Sequence, residues 1–517
     1  MLHMSAPKLA AFPSWAFLLV GIALRCVAIN QPLIDAHLYR QTQTADAVRS
    51  LIRAPHWELS SRPSWLGDTN ARLVQEFPLY NFLVVGVYRI VGNLDVSGKL
   101  ASILLWAVSF LFLQAIWKRL LTPGQTLWAN LLFVVSPLSI FFGQAFMPEM
   151  LIRACEFAFL ALLLTYCENG RFAILLMAAA VGATGMIVKA PEFFHLYFVA
   201  GFLLFQKEGW AVLRRPGYWL ILIATGICMK AWASYVDSTN ATGVPEWSAT
   251  ATATAFLGKW TDRLSLHPYI KYAGYLTALT FTPAGLLVAL FGSGRVGKQP
   301  SRYAVLVAWA FSVAAFYLLW GPRTAGEHSY YHLPALGVAC ALFGVGADWL
   351  LELAARHWPG RWGTRTTALA IVVSVIGPGA AATAYLFRQD RVIYDAALWV
   401  RDHVPRNEMV LFVLNHRPEL DYAHVPVFSY YADRNVWVYS RTVPEERMIR
   451  ALKSSVWAVV TRAPDEGDVG RLRRLLRGGE KPLQPQDVSW LEQKAGFKRD
   501  LETAEFIVYK KLQPAGG

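Results

Sequence analysis

The chain has 517 residues, of which 55% are hydrophobic and only 16% charged. A typical globular protein carries about 25% charged residues, so this composition excludes disorder, a coiled coil, a secreted disulfide scaffold and an ordinary soluble enzyme. Net charge is +14, but residues 389–517 hold 20 Lys and Arg against 18 Asp and Glu, so the surplus belongs to the apolar part and nucleic acid is not the expected partner. The five cysteines all lie in apolar segments up to residue 340, with no CxxC spacing, so neither a disulfide framework nor a thiolate metal site is expected.

Taken in order, apolar runs able to cross about 30 Å of hydrocarbon occur near 10–29, 99–117, 125–143, 150–167, 172–188, 190–205, 218–236, 276–293, 303–320, 333–351 and 367–387. That predicts a polytopic α-helical membrane protein with about eleven transmembrane helices. The first run lacks a small-x-small cleavage site and reads as a retained helix. Five short loops, 118–124, 168–171, 206–217, 294–302 and 355–366, carry twelve Lys and Arg against Glu168 and Glu208. Basic loops stay in the cytoplasm, which puts the N-terminus inside and residues 388–517 outside.

The run 77–91, FPLYNFLVVGVYRIV, is short for a span, and counting it as one would invert every later loop. It therefore reads as a helix that lies in the interface or packs into the protein, inside one external loop, 30–98. Earlier in that loop, residues 36–53 place Leu38, Ala45, Val48 and Ile52 on one helical stripe, which predicts an interfacial amphipathic helix. A second external loop spans 237–275. The tail alternates helical and strand-like stretches: a helix at 393–403, strands at 409–415, 436–440, 456–461 and 505–510, and a basic helix near 467–477. This reads as a C-terminal soluble α/β domain, 389–517, appended to a transmembrane domain, 1–388.

The first external loop holds two dense polar clusters, Asp35 to Asp46 and Gln75 to Tyr80, and Met147-Pro148-Glu149 reaches the same side. Asp35, Glu76 and Glu149 are thus three carboxylates at one membrane face, which suits a base, an orienting group or a metal site. Each also has a plainer reading: Asp35 can cap the following helix, and Glu149 sits where a helix dipole favours an acid. Arg40 can simply snorkel, Lys189 can anchor a helix end, and Tyr330 and Tyr331 can belong to an aromatic belt. Within the spans Arg153 and Glu156 are spaced to satisfy each other, Arg25 needs a partner beyond its own helix, and Lys230 has no evident one.

The order of these features resembles the GT-C class of membrane glycosyltransferases. It is most similar to the branch holding the lipid A aminoarabinose transferases, the protein O-mannosyltransferases and many uncharacterised bacterial sugar transferases. Asp35 matches the first essential acid after the first helix, and RQTQTA at 40–45 resembles a string of the uncharacterised members. EFPLY at 76–80 matches the start of the Pro-containing helix, and Glu149 in MPEM the second acid. Lys189-Ala190-Pro191 resembles the Lys-Gly-Pro step, and His328-Ser329-Tyr330-Tyr331 the late His/Tyr motif. Two features depart: no Lys precedes the proline of 76–80, and Ala36 replaces the second acid of the DE or DxD pair.

The resemblance implies inverting sugar transfer from a polyprenyl-phosphate donor to a glycan, lipid or protein acceptor, on the periplasmic face of a bacterial inner membrane. Asp35 would be the base, with Glu149 and Glu76 orienting the acceptor or a metal. Arg40, Lys189, Arg323 and His328 would hold the phosphate, with His37, Tyr80, Tyr330 and Tyr331 lining the substrates. No cofactor is implied beyond a divalent metal, which, if used, would sit at Asp35 and Glu149. The alternative is a transporter or flippase of lipid-linked sugars, which needs neither a 69-residue external loop nor an external domain.

Overall fold

The computed structural model describes residues 13–67, 71–241, 247–320, 328–358, 361–413, 426–439, 445–461, 490–493 and 495–511. The chain packs into two compact units. The first takes residues 1–31, 74–241 and 245–387; the second takes 32–73, 242–244 and 388–517.

The first unit is helical. Seven described helices are long and apolar enough to cross a membrane, eight if a bent pair counts as one. They match the expected runs at 99–117, 150–167, 172–188, 190–205, 218–236, 333–351 and 367–387. The other four expected runs are shorter or broken. The first is α1, Ser14–Cys26, and that at 303–320 is Ala304–Leu319, 16 residues. The run at 125–143 splits into Pro123–Val135 and Pro137–Phe142, because Pro137 lacks the N–H that would continue the ladder. The run at 276–293 breaks by 98° between Leu266–Phe281 and Pro283–Lys298. There Thr282 has φ 65°, and its hydroxyl caps the new helix by accepting from Gly285 N–H. The segment 77–91 forms a helix, Leu79–Val91, of 13 residues, about 20 Å long at 1.5 Å per residue.

Aromatic packing and small-residue crossings hold this unit. Trp106 stacks on Phe110 and Phe133, and Phe133 meets Phe157 edge-on. Leu111, Leu220 and Phe311 point outward and exposed, as suits hydrocarbon contact. Arg25 does find its partners beyond α1: it donates to Ser139 Oγ at 2.8 Å and lies 3.6 Å from the Trp106 ring centroid. Lys230 is exposed. The helices Pro283–Lys298 and Leu336–His357 cross backbone to backbone. A methyl at Gly346 would stand 1.9 Å from Val288 O, and one at Gly292 1.9 Å from Leu342 O. A main-chain carbonyl inside a helix cannot retreat as a side chain can. Gly346→Ala is therefore expected to lower stability by about 1–3 kcal/mol, read as a lower Tm in detergent. An unchanged Tm would mean that the two helices are not in contact there.

The second unit is built on a five-stranded sheet of order β2-β1-β3-β5-β4. The strands are β1 Val410–Val413, β2 Val436–Tyr439, β3 Trp457–Thr461, β4 Phe497–Glu502 and β5 Phe506–Lys511. β1 pairs in parallel with β2 and β3, and β5 runs antiparallel to β3 and β4. Four strands fall where the sequence predicts. β4, FKRDLE, is an edge strand with mostly exposed charges and carries no apolar alternation to announce it. The helix expected at 393–403 is Arg391–His403; the one expected near 467–477 lies outside the described residues.

Residues 32–73 belong to this sheet-containing unit, and here one expectation is corrected. α2, Leu38–Arg53, does bury Leu38, Ala45 and Val48, but it also buries Gln41, Thr42, Gln43, Thr44 and Asp46. It is a core helix rather than one with a wet polar face. Asp46 accepts from Arg49 at 2.5 Å and from Ser64 N and Oγ at 2.8 Å each. Arg49 also donates to Tyr430 O at 2.6 Å and reaches Asp433 at 3.2 Å. Partial burial pushes the Asp433 carboxyl up, but the bond from Arg53 and the charges of Arg49, Arg53 and Arg406 outweigh it and hold its pKa below the usual value. Ser64 is a near partner of α2, but Tyr430 and Asp433 lie some 380 residues downstream, beyond the reach of a local pattern.

Candidate functional site

In the helical unit the helix Glu149–Asn169 places Glu149, Arg153 and Glu156 at i, i+4 and i+7, one stripe on one face. Glu149 occupies the first turn, as its position in MPEM predicts. The facing helix, Phe172–Phe193, is interrupted near its end. Lys189 leaves helical geometry at φ −157° and ψ 75°, two residues before Pro191. A proline disfavours helix in the residue before it and cannot donate to the preceding turn. The loosened turn presents Lys189, Glu192 and His195 toward the acidic stripe.

The result is a buried charge cluster. Lys189 Nζ donates to Glu149 Oε1 at 2.7 Å and stands 2.6 Å from Glu192 Oε1. The second contact is an ion pair without hydrogen-bond alignment. Arg153 bonds Glu156 on its own helix, as the spacing predicts, and also reaches Glu192 Oε2 at 3.1 Å. Glu149, Arg153, Glu156, Glu192 and His195 are all essentially inaccessible. His195 shares a hydrogen bond of 3.2 Å with Ser312. Ser329–Ala335 closes the cluster with aromatics: Lys189 Nζ is 4.3 Å from the Tyr330 centroid and 5.4 Å from that of Tyr331. His328 stacks on Tyr330 at 5.1 Å with its plane tilted by 11°.

Sequence reasoning brings Glu149, Lys189, His328, Tyr330 and Tyr331 to one place but misses Glu192 and His195. It also treats Arg153 as structural. The signal was there in part, since Lys189 and Glu192 are spaced i, i+3 and extend the pairing visible in Arg153 and Glu156. Tyr80 is buried, its hydroxyl donating to Gly98 O at 3.0 Å and sharing a 2.8 Å bond with Ser102. Those bonds tie helix Leu79–Val91 to Leu94–Leu120. Glu76 is half-buried at the bend that precedes this helix. Arg323 lies outside the described residues.

In the sheet-containing unit Asp35 is buried, 3% exposed. Gln41 Nε2 donates to Asp35 Oδ1 at 2.5 Å and to Ala36 O at 3.0 Å. The N-cap residue of α2 is His37 rather than Asp35, in left-handed geometry at φ 58°, and its side chain makes no capping bond. Arg40 is half-buried and donates to Gln43 at 3.2 Å. The Gln41 amide thus holds one oxygen of the Asp35 carboxylate in place. Among the described residues no three His, Cys, Asp or Glu side chains gather as a metal site would need, and Glu149 already faces an ammonium.

Residues 75–235 match the family described as dolichyl-phosphate-mannose-protein mannosyltransferase. No curated protein matches the chain by sequence. Among solved structures the chain is similar to ArnT from Cupriavidus metallidurans bound to undecaprenyl phosphate. The identity is 12% and the TM-score 0.62, over 97% of this chain and 98% of that one. It is also similar to the archaeal oligosaccharyltransferase AglB from Archaeoglobus fulgidus in complex with an inhibitory peptide and a dolichol-phosphate. There the identity is 10% and the TM-score 0.52, over 87% of this chain and 69% of that one. Likeness at such identities is likeness of fold: the chain shares the fold of these membrane proteins, and part of its helical unit, residues 75–235, matches the mannosyltransferase family.

Proposed function

We propose that the protein transfers a sugar from a polyprenyl-phosphate carrier to a glycan, lipid or protein acceptor on the periplasmic face of a bacterial inner membrane. The observation that carries this reading is the likeness over nearly the whole chain to ArnT solved bound to undecaprenyl phosphate, joined to the mannosyltransferase family match at 75–235. In this reading the chain spans eleven times, the broken and shorter helices included. The twelve-to-two basic bias of its short loops supports an inside N-terminus. Residues 1–388 supply the transmembrane catalytic part and 389–517 the periplasmic part.

Transfer proceeds with inversion. The acceptor oxygen bonds to C1 of the sugar, the C1–O bond to phosphate breaks, and its electron pair stays on the phosphate oxygen. The acceptor proton passes to the Asp35 carboxylate. Glu149 and Glu76 orient the acceptor. Arg40, Arg323 and His328 meet the phosphate, with Lys189 adding a positive centre already tempered by its two carboxylates. His37, Tyr80, Tyr330 and Tyr331 shape the surroundings.

Deletion of the gene followed by mass spectrometry of envelope glycans and lipids tests this. Loss of one glycosylated species, with its polyprenyl-linked donor accumulating in the outer leaflet, is the expected result. Donor trapped in the inner leaflet would instead identify a flippase.

A further inference from the structure

The buried cluster has an odd charge count. Among the described residues it holds three carboxylates, Glu149, Glu156 and Glu192, against two cations, Arg153 and Lys189. Two neutral pairs, Lys189 with Glu149 and Arg153 with Glu156, would account for four of the five. Glu192 is the fifth. It is fully buried and lies between the cations, 2.6 Å from Lys189 and 3.1 Å from Arg153. Charge balance does not call for it, and a glutamine of the same shape would leave the cluster neutral. A buried surplus charge lowers stability unless a proton cancels it, and an ionisable group kept inside a membrane protein against that penalty points to function.

We infer that Glu192 is a positioning and charge-tempering residue. It holds Lys189 beneath Tyr330 and Tyr331 and keeps its ammonium from gripping an anion too tightly. The logic rests on the reading of Lys189 as part of the phosphate environment. The donor is a phosphodiester; once the sugar leaves, the lipid carries a phosphomonoester with one more ionisable oxygen. A bare lysine would bind that product better than the donor. A second carboxylate on the same ammonium offsets the gain in attraction and lets the spent carrier leave. His195 lies 4.0 Å from Glu156 and bonds Ser312.

The test uses the full chain purified in detergent, with two readouts, Tm and the affinity for undecaprenyl phosphate. Glu192→Gln is expected to melt at or above the wild-type temperature and to bind undecaprenyl phosphate roughly tenfold more tightly, the size of one charge-assisted contact. Glu192→Asp keeps the charge and is expected to keep wild-type affinity. A clear fall in Tm for Glu192→Gln would show that the residue serves the fold and would overturn the inference. So would unchanged or weaker lipid-phosphate binding at wild-type Tm. A wild type that binds no undecaprenyl phosphate would overturn the donor reading above. The Tm of Glu192→Gln alone would then decide whether Glu192 is held against stability.

Discussion

Asp35→Asn is expected to slow sugar transfer by at least about 10²-fold, within the 10²–10⁴ that a positioned base contributes, while the amount of folded protein stays near wild type. The local geometry makes the second half of that statement specific. Gln41 donates to Asp35 Oδ1, and an asparagine carbonyl oxygen can accept the same bond, so shape and the bond to Gln41 survive while proton affinity is lost. A capping role would predict the reverse, because asparagine caps as well as aspartate; but the helix that follows is capped at His37 without any side-chain bond. Single-turnover rates on correctly folded protein decide the matter. Near-normal chemistry in Asp35→Asn would end the assignment of this residue as the base.

Arg153→Met is expected to be the most damaging single change to the fold of the helical unit. It removes one of two cations from a cluster with three carboxylates and leaves Glu156, whose bonded partner it was, buried and unbalanced. Breaking a buried pair from one side costs about 3–5 kcal/mol, a large share of the roughly 5–15 kcal/mol that keeps a protein folded. The measurement is the yield of monodisperse protein after detergent extraction, together with its Tm. A variant that extracts and melts like wild type would show that the cluster does not hold these helices together.

Much of this was legible in the chain. Long apolar runs announce helices because nothing else satisfies the backbone in hydrocarbon, and seven of the runs appear as helices of spanning length. The breaks at Pro137 and Thr282 were less legible. A proline in an apolar run ends a helix in one place and is absorbed in another, as Pro378 is absorbed within Arg361–Leu386. Glu149, Lys189, Tyr330 and Tyr331 were found by motif order. Glu192 was not, because its part depends on how an interrupted helix end turns, and no spacing rule describes that. The polar face of α2 misled for a related reason. Gln41, Thr42 and Asp46 look like a solvated face, yet they are buried, and among the groups that hold their helix is Tyr430, far along the sequence.

The union of residues 32–73 with the C-terminal sheet has a consequence for how the protein is made. Arg49 and Asp433, which pair at 3.2 Å, are 384 positions apart. At about 5–20 residues per second, the ribosome needs on the order of 20–80 s to deliver the second after the first. For that interval Arg49 lacks the partners that Tyr430 and Asp433 supply. It must be sheltered while the spans between are inserted one after another. Maturation of the protein therefore brings residues 388–517 back to residues 32–73 across the inserted helices, and the later stretch completes a structure begun by the earlier one.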